Sequence, residues 1–180
     1  LSDDGEVRTA MTVLMNGSET TVEIDDMRTD NESGLPFKEG DVIYFAPASD
    51  GRFRIGDNNS NYNLLVKRDG SDFTFDEAGY KYSKKNFSED GIASFGTVYD
   101  TGAGYILLNP LNNTSDDSTI ERVNLTASSA YVYIYDKEKE EYRLGSTEEA
   151  IGYKNDKTGY SSAYVFVNYE YAIAIIYPGA

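Results

Sequence analysis

A chain of 180 residues with 16 basic and 31 acidic side chains has a net charge of −15, so nucleic acid and anionic membrane surfaces are repelled rather than bound. It contains no Cys, His or Trp, which removes Cys/His zinc sites, Ser-His-Asp triads, Cys-His pairs and dithiol redox chemistry by inventory alone. Leu, Ile, Val and Phe make up about 22% of the residues, close to the level below which chains stay disordered, and 16 Tyr supply further apolar surface as rings suited to half-buried strands.

In chain order, the first signal is Asn16-Gly17 between two alternating runs, Thr9 to Met15 and Thr20 to Asp25. Asn-Gly supplies positive φ at both central positions of a type I′ turn, so these runs are predicted to form a two-residue β-hairpin. The polar stretch Thr29 to Pro36 then reads as a loop. Asp41 to Ala46 and Arg52 to Gly56 flank Ser49-Asp50-Gly51 and read as a second hairpin. Tyr62 to Lys67, Phe73 to Asp76 and Tyr80 to Ser83 are shorter strand candidates, and Ser83 to Gly91 reads as the joint between two halves.

Beyond that joint, Ala93 to Tyr99 and Tyr105 to Leu108 bracket a turn expected at Asp100-Thr101-Gly102, and Asn109 to Ser118 is a loop by composition. Ile120 to Leu125, Tyr131 to Tyr135, Tyr142 to Leu144, Tyr164 to Tyr169 and Tyr171 to Tyr177 read as strands, with Asp136 to Glu141 a charged hairpin turn. The single helix expected is a turn around Thr147 to Ile151, capped by Ser146 or Thr147, with two Glu at the positive end of its dipole. Short strands spaced by turns point to an all-β protein. The expectation is two small antiparallel barrel-like or sandwich modules joined by a short linker, residues 1–88 and 89–180.

Tyr131, Tyr133 and Tyr135 alternate with Val132 and Ile134, which places three rings on one face of a strand. Exposed together, such rings stack on sugars, and they are the candidate ligand-binding residues. The plainer reading has Val132 and Ile134 facing the core while the tyrosines cover the second face. Oxygen-rich loops, Asp57, Asn59 and Asn61 foremost, are the candidate calcium ligands. None follows the D-x-[DN]-x-[DN]-G spacing with its closing glutamate, so solvated turns are the first expectation and no cofactor is required. Paired carboxylates are all a glycoside hydrolase needs, but 31 acidic residues make coincidental pairs inevitable. The seven N-x-[ST] sequons read as a consequence of abundant Asn, Ser and Thr.

The run Phe95-Gly96-Thr97-Val98, the strand Tyr131 to Asp136, Leu144-Gly145-Ser146 with its helical turn, and the closing Tyr164 to Tyr177 hairpin resemble β-rich modules of large Gram-positive surface proteins that also carry S-layer homology repeats. Lys38 to Phe45 (KEGDVIYF), followed by Asp50-Gly51, is in the same style. The likeness implies an extracellular or cell-surface location and a chain that is part of a longer one. It also implies a non-catalytic structural or binding role, with neighbouring modules or cell-wall components as partners. A carbohydrate-binding module built on the exposed tyrosines is the alternative, and a hydrolase fragment with paired carboxylates the second. No run is long enough to span a bilayer as a helix, so membrane insertion is not expected.

Overall fold

The computed structural model describes residues 9–26, 35–45, 50–55, 62–70, 72–75, 92–110, 120–126, 130–153, 161–167 and 172–179. The chain divides into two compact units, Leu1–Asp76 and Glu77–Ala180. The expected strand Tyr80 to Ser83, the expected joint Ser83 to Gly91 and the expected boundary at residue 88 lie outside the described residues.

In the first unit, β1 (Thr9–Met15) and β2 (Ser18–Asp26) form the expected hairpin. Asn16 and Gly17 carry φ of 51° and 75°, and the register runs from Met15 opposite Ser18 to Thr9 opposite Ile24. The other strands are β3 (Val42–Phe45), β4 (Phe53–Ile55), β5 (Tyr62–Asp69) and β6 (Asp72–Phe75). They make two three-stranded sheets, ordered β1-β2-β4 and β3-β5-β6. Val22, Ile24, Phe53 and Ile55 form the buried core, and Met11, Val13, Met15, Phe37 and Ile43 pack against it. Because Ile43 belongs to the second sheet, the two sheets share one apolar layer.

The second expected hairpin is not present, because β3 pairs with β5 whereas β4 pairs in parallel with β2. The reason is visible in the register. Ile24 lies opposite Phe53 and Asp26 opposite Ile55, while on the alternate positions Arg52 reaches Glu23 at 3.4 Å and Arg54 reaches Asp25 at 3.9 Å. Ile24 thus meets Phe53 on one face and opposite charges meet on the other, a match that outweighs the local turn at Asp50-Gly51.

The second unit contains β7 (Ile92–Gly102), β8 (Tyr105–Pro110), β9 (Glu121–Asn124), β10 (Ala130–Asp136), β11 (Glu141–Leu144), α1 (Thr147–Gly152), β12 (Ser162–Val167) and β13 (Ala172–Tyr177). One seven-stranded sheet runs β11-β10-β13-β12-β7-β8-β9. The expectation of purely antiparallel pairing is corrected here too, since β10 and β13 are parallel. Residues 100–102, expected as a turn, continue β7, and the chain reverses at Ala103-Gly104, where Gly104 has φ of 74°. A bulge makes this extension fit: Val98 pairs with Leu108 and Asp100 with Leu107, leaving Tyr99 as the extra residue, 53% exposed. The frame shift puts Val98 and Thr101 on the same face, where Thr101 Oγ1 donates to the Ile151 carbonyl at 2.7 Å and satisfies one of the helix's unfilled acceptors.

Among the described residues no sheet closes into a barrel, yet the seven-stranded one curls strongly. Laid flat, its two edges would stand ~29 Å apart at ~4.8 Å per strand. Gly145 continues β11 by donating to Val132 O at 2.8 Å, and Leu125 continues β9 by donating to Gly104 O at 2.7 Å. Thr147, two residues past Gly145 and so within ~7 Å of it along the chain, donates from Oγ1 to Leu125 O at 2.7 Å. The edges therefore approach each other around the inner face. That face carries Val98, Ile106, Leu108, Val123, Val132, Ile134, Ala163, Val165, Ala174 and Ile176, with Ala150 of α1 packed among them. Small and aliphatic side chains suit the concave side, where room is least. No helix among the described residues is long and apolar enough to cross a membrane.

Candidate functional site

The tyrosine row lies on β10, an interior strand held by β11 on one side and β13 on the other. Tyr133 sits opposite Leu144 and Ile175, and Tyr135 opposite Tyr142. Tyr133 is 6% exposed and Tyr135 4%, whereas Tyr131 is half-buried. Val132 and Ile134 face the aliphatic core, so both faces of the strand are covered. Stacking on a sugar needs the face of a ring in water, and Tyr133 and Tyr135 do not offer one. The three rings thus form no exposed row, since Tyr133 and Tyr135 are buried on the sheet face opposite the aliphatic core.

Instead, Tyr135 is part of a cluster with two residues that local sequence patterns did not mark, Tyr142 and Tyr177. Ring centroids are 5.1 Å apart for Tyr135 and Tyr142, 6.1 Å for Tyr135 and Tyr177, and 6.0 Å for Tyr142 and Tyr177. The Tyr142 and Tyr177 hydroxyls share a hydrogen bond of 3.0 Å. Burial, reinforced by the neighbouring Tyr142, pushes the Tyr177 phenol well above the usual tyrosine range. The cluster is a set of rings with a paired polar tip, suited to joining strands. Hairpin register alone brings Tyr142 opposite Tyr135. Tyr177 arrives through the parallel pairing of β13, which no local pattern announces.

Beside this cluster lies a shallow depression of about 200 Å³ whose walls include Asp136, Lys137, Arg143, Tyr153 and Pro178. It is smaller than the ~300–1,000 Å³ typical of small-molecule sites. Two of its charged groups, Asp136 and Arg143, are engaged in holding the local chain. Asp136 Oδ1 accepts from the backbone N–H of Glu138 at 3.0 Å and of Lys139 at 3.2 Å, forming the turn between β10 and β11. Arg143 donates to Glu149 at 2.7 Å and to the Leu144 carbonyl at 3.2 Å. The bond to Glu149 raises the pKa of the guanidinium further. Helix α1 starts as expected: Ser146 Oγ accepts from Glu149 N at 3.2 Å, and Glu148 and Glu149 occupy the first turn.

Carboxylates elsewhere serve turns as well. Asp41 accepts from Lys38 N at 2.9 Å and, across the sheet, from Arg68 N at 2.8 Å, closing a turn in which Gly40 takes φ of 95°. Asp50 accepts from Arg52 N at 3.1 Å and from Arg54 Nη2 at 3.3 Å. The backbone bond is the leading cause that lowers its pKa, and the charges of Arg54 and Arg52 act in the same direction. The candidate calcium ligands Asp57, Asn59 and Asn61 lie outside the described residues. Among the described residues, no three acidic groups are placed to hold a metal ion. Compared with known proteins, the chain matches no family model, no curated protein and no solved structure.

Proposed function

We propose that this chain is a non-catalytic structural or binding module of a bacterial cell-surface or secreted multidomain protein, with other modules of the parent chain or cell-wall components as its partners. The observation that carries the reading is the burial of β10 on both faces. The chain's densest aromatic run goes into packing, with Tyr133 and Tyr135 buried, rather than onto a ligand face. Asp41, Asp50 and Asp136 act on backbone amides of their own turns, a role that builds shape. The net charge of −15 keeps such a module soluble and away from polyanions.

The test is incubation of the purified chain with chromogenic glycosides and cell-wall polysaccharides, together with co-sedimentation on Gram-positive cell-wall sacculi. Sedimentation with the sacculi or cooperative unfolding unaffected by soluble sugars, without turnover, is the expected result. Turnover of any glycoside that is lost on substituting one carboxylate overturns the reading in favour of a hydrolase.

A further inference from the structure

The sheet edges of this molecule are not treated alike. β11 is four residues long and carries Glu141 and Arg143, and β9 is four residues with an exposed Arg122. β4 is three residues with Arg54 at its centre, β3 is four with a register shift beside Val42, and β6 is four. Shortness, charge and irregularity are the devices by which edge strands avoid pairing with other chains. β1 has none of them. It is seven residues, Thr9–Met15, with the sequence TAMTVLM and neither charge nor proline, and it pairs without a bulge to β2. Its other edge meets no strand among the described residues.

The two-residue turn fixes which backbone groups of β1 are spoken for. Met15 opposite Ser18 closes the hairpin as a hydrogen-bonded pair, so Met15, Val13 and Met11 bond inward to β2. Ala10, Thr12 and Leu14 therefore point their N–H and C=O groups toward the open edge. Ala10 and Thr12 are exposed, and Met11, Val13, Leu14 and Met15 are only partly buried.

We infer that β1 is a self-association edge, pairing antiparallel with β1 of a second copy about a two-fold axis at Thr12. In that register Thr12 faces Thr12 and Ala10 faces Leu14. These are the residues with outward backbone groups, and together they make about six hydrogen bonds. Met11 then lies opposite Val13 on the core side, which continues the apolar layer of Val22, Ile24, Phe53 and Ile55 across the axis. The charge of −15 on each copy opposes this, but the pairing strands carry none of it. The β2 strands, with Glu19 and Glu23 exposed, are three strand spacings apart, ~14 Å, beyond the Debye length of ~8 Å at ~0.15 M salt. Association is therefore weak and strengthened by salt. It rests on the first unit alone and is independent of the functional reading above.

Sedimentation equilibrium of the full chain in 0.02 M and 0.3 M sodium chloride, at concentrations rising to about 1 mM, tests this. The expected result is a monomer–dimer equilibrium, tighter at the higher salt. Thr12→Lys, which leaves the monomer's ladder intact and sets two cations face to face, weakens it at least ~10-fold, while Leu144→Lys on the β11 edge leaves it unchanged. Since the chain has no cysteine, Thr12→Cys adds a direct readout. Paired positions ~5.5 Å apart at Cα are within disulfide reach, so air oxidation yields a covalent dimer. A wild type that stays monomeric throughout overturns the inference, as does a dimer that survives Thr12→Lys in a variant with unchanged circular dichroism.

Discussion

In the first unit β2 alternates buried Val22 and Ile24 with exposed Thr21 and Glu23, whereas in the second β10 buries four consecutive residues, Val132 to Tyr135. Each unit contains a parallel pair, and the two pairs are specified differently. β2 and β4 are matched by ion pairs on one face and by Ile24 against Phe53 on the other. In β10 and β13, Val132 meets Ala174 and Ile134 meets Ile176 on the inner face, and Tyr133 meets Ile175 on the outer. A one-sided sheet can recruit charge to choose its partner. A sheet buried on both sides has only shape and volume to do so, and its stability should be correspondingly more sensitive to the loss of a methyl group.

The sharpest way to break that comparison is Ile134→Ala. Ile134 is 1% exposed, faces Ile176 across the parallel pair and crowds position 145, where a side chain's Cβ would stand 2.8 Å from its Cδ1. Truncation removes most of its buried surface and leaves a cavity between tightly held strands, at a cost of about 3 kcal/mol. Val13→Ala in the half-buried hairpin of the first unit should cost under about 1.5 kcal/mol, because less surface returns to water. Urea titration of both variants measures the difference, and equal losses would show that burial on two faces confers no added sensitivity.

Next in size is Thr147→Val, which keeps shape but removes the hydroxyl that joins the trailing ends of the two sheet edges. An unpaired carbonyl at Leu125, itself 2% exposed, costs about 1–2 kcal/mol. The curl predicts where the loss is felt: amide exchange should quicken at Leu125 and Gly145, the residues that continue the two edges. Unchanged protection there would mean that the curl is held by the core alone.

Tyr142→Phe follows, at about 1 kcal/mol near neutral pH, since it leaves the buried Tyr177 hydroxyl without its 3.0 Å partner. The pH dependence has a definite sign. A phenol whose pKa is raised in the folded state contributes stability fully present below its ordinary value of 10.0, and that stability is lost as pH rises through the higher folded value. The second unit should therefore weaken progressively above about pH 10. Tyr177→Phe flattens this slope, and Tyr142→Phe retains most of it because burial is the leading cause. An alkaline melting series that is identical for wild type and Tyr177→Phe would remove the cluster from the account.

How far these features could be read in advance follows the distance over which they are decided. Asn16-Gly17, the Ser146 cap and the Asp136 turn are settled by neighbouring residues, and all three are present as expected. The pairing of β4 with β2 depends on a match between Arg52, Arg54, Glu23 and Asp25 across the sheet, whereas Asp50-Gly51 invited a local hairpin instead. The bulge at Tyr99 leaves no local mark, so Gly102 alone signals a turn where the strand in fact continues. Alternation on β10 was legible, but tyrosine packs as well under cover as in water, so its pattern could not separate a ligand face from a second buried face. The Tyr135, Tyr142 and Tyr177 cluster needed the parallel register before it could be seen at all.

The smallest expected effect is the one that decides how the first unit's parallel pair is held. Arg54 and Asp25 are 35% and 36% exposed at the side chain, and Arg52 and Glu23 are 30% and 50%, so solvent screens both pairs. Arg54→Ala should cost only about 0.5 kcal/mol, and 1 M salt should reproduce much of that loss in the wild type. Acid acts in the same direction. The lowered pKa of Asp50 means that its contribution is present above the ordinary carboxylate range and is lost as pH falls through the depressed value. Charge would then choose the partner strand while Phe53 and Ile55, at 0% and 2% exposed, hold it. A loss above about 2 kcal/mol for Arg54→Ala would reverse those roles, because an ion pair that large must be shielded from water. The two parallel pairs would then differ in what stabilises them as well as in what selects them.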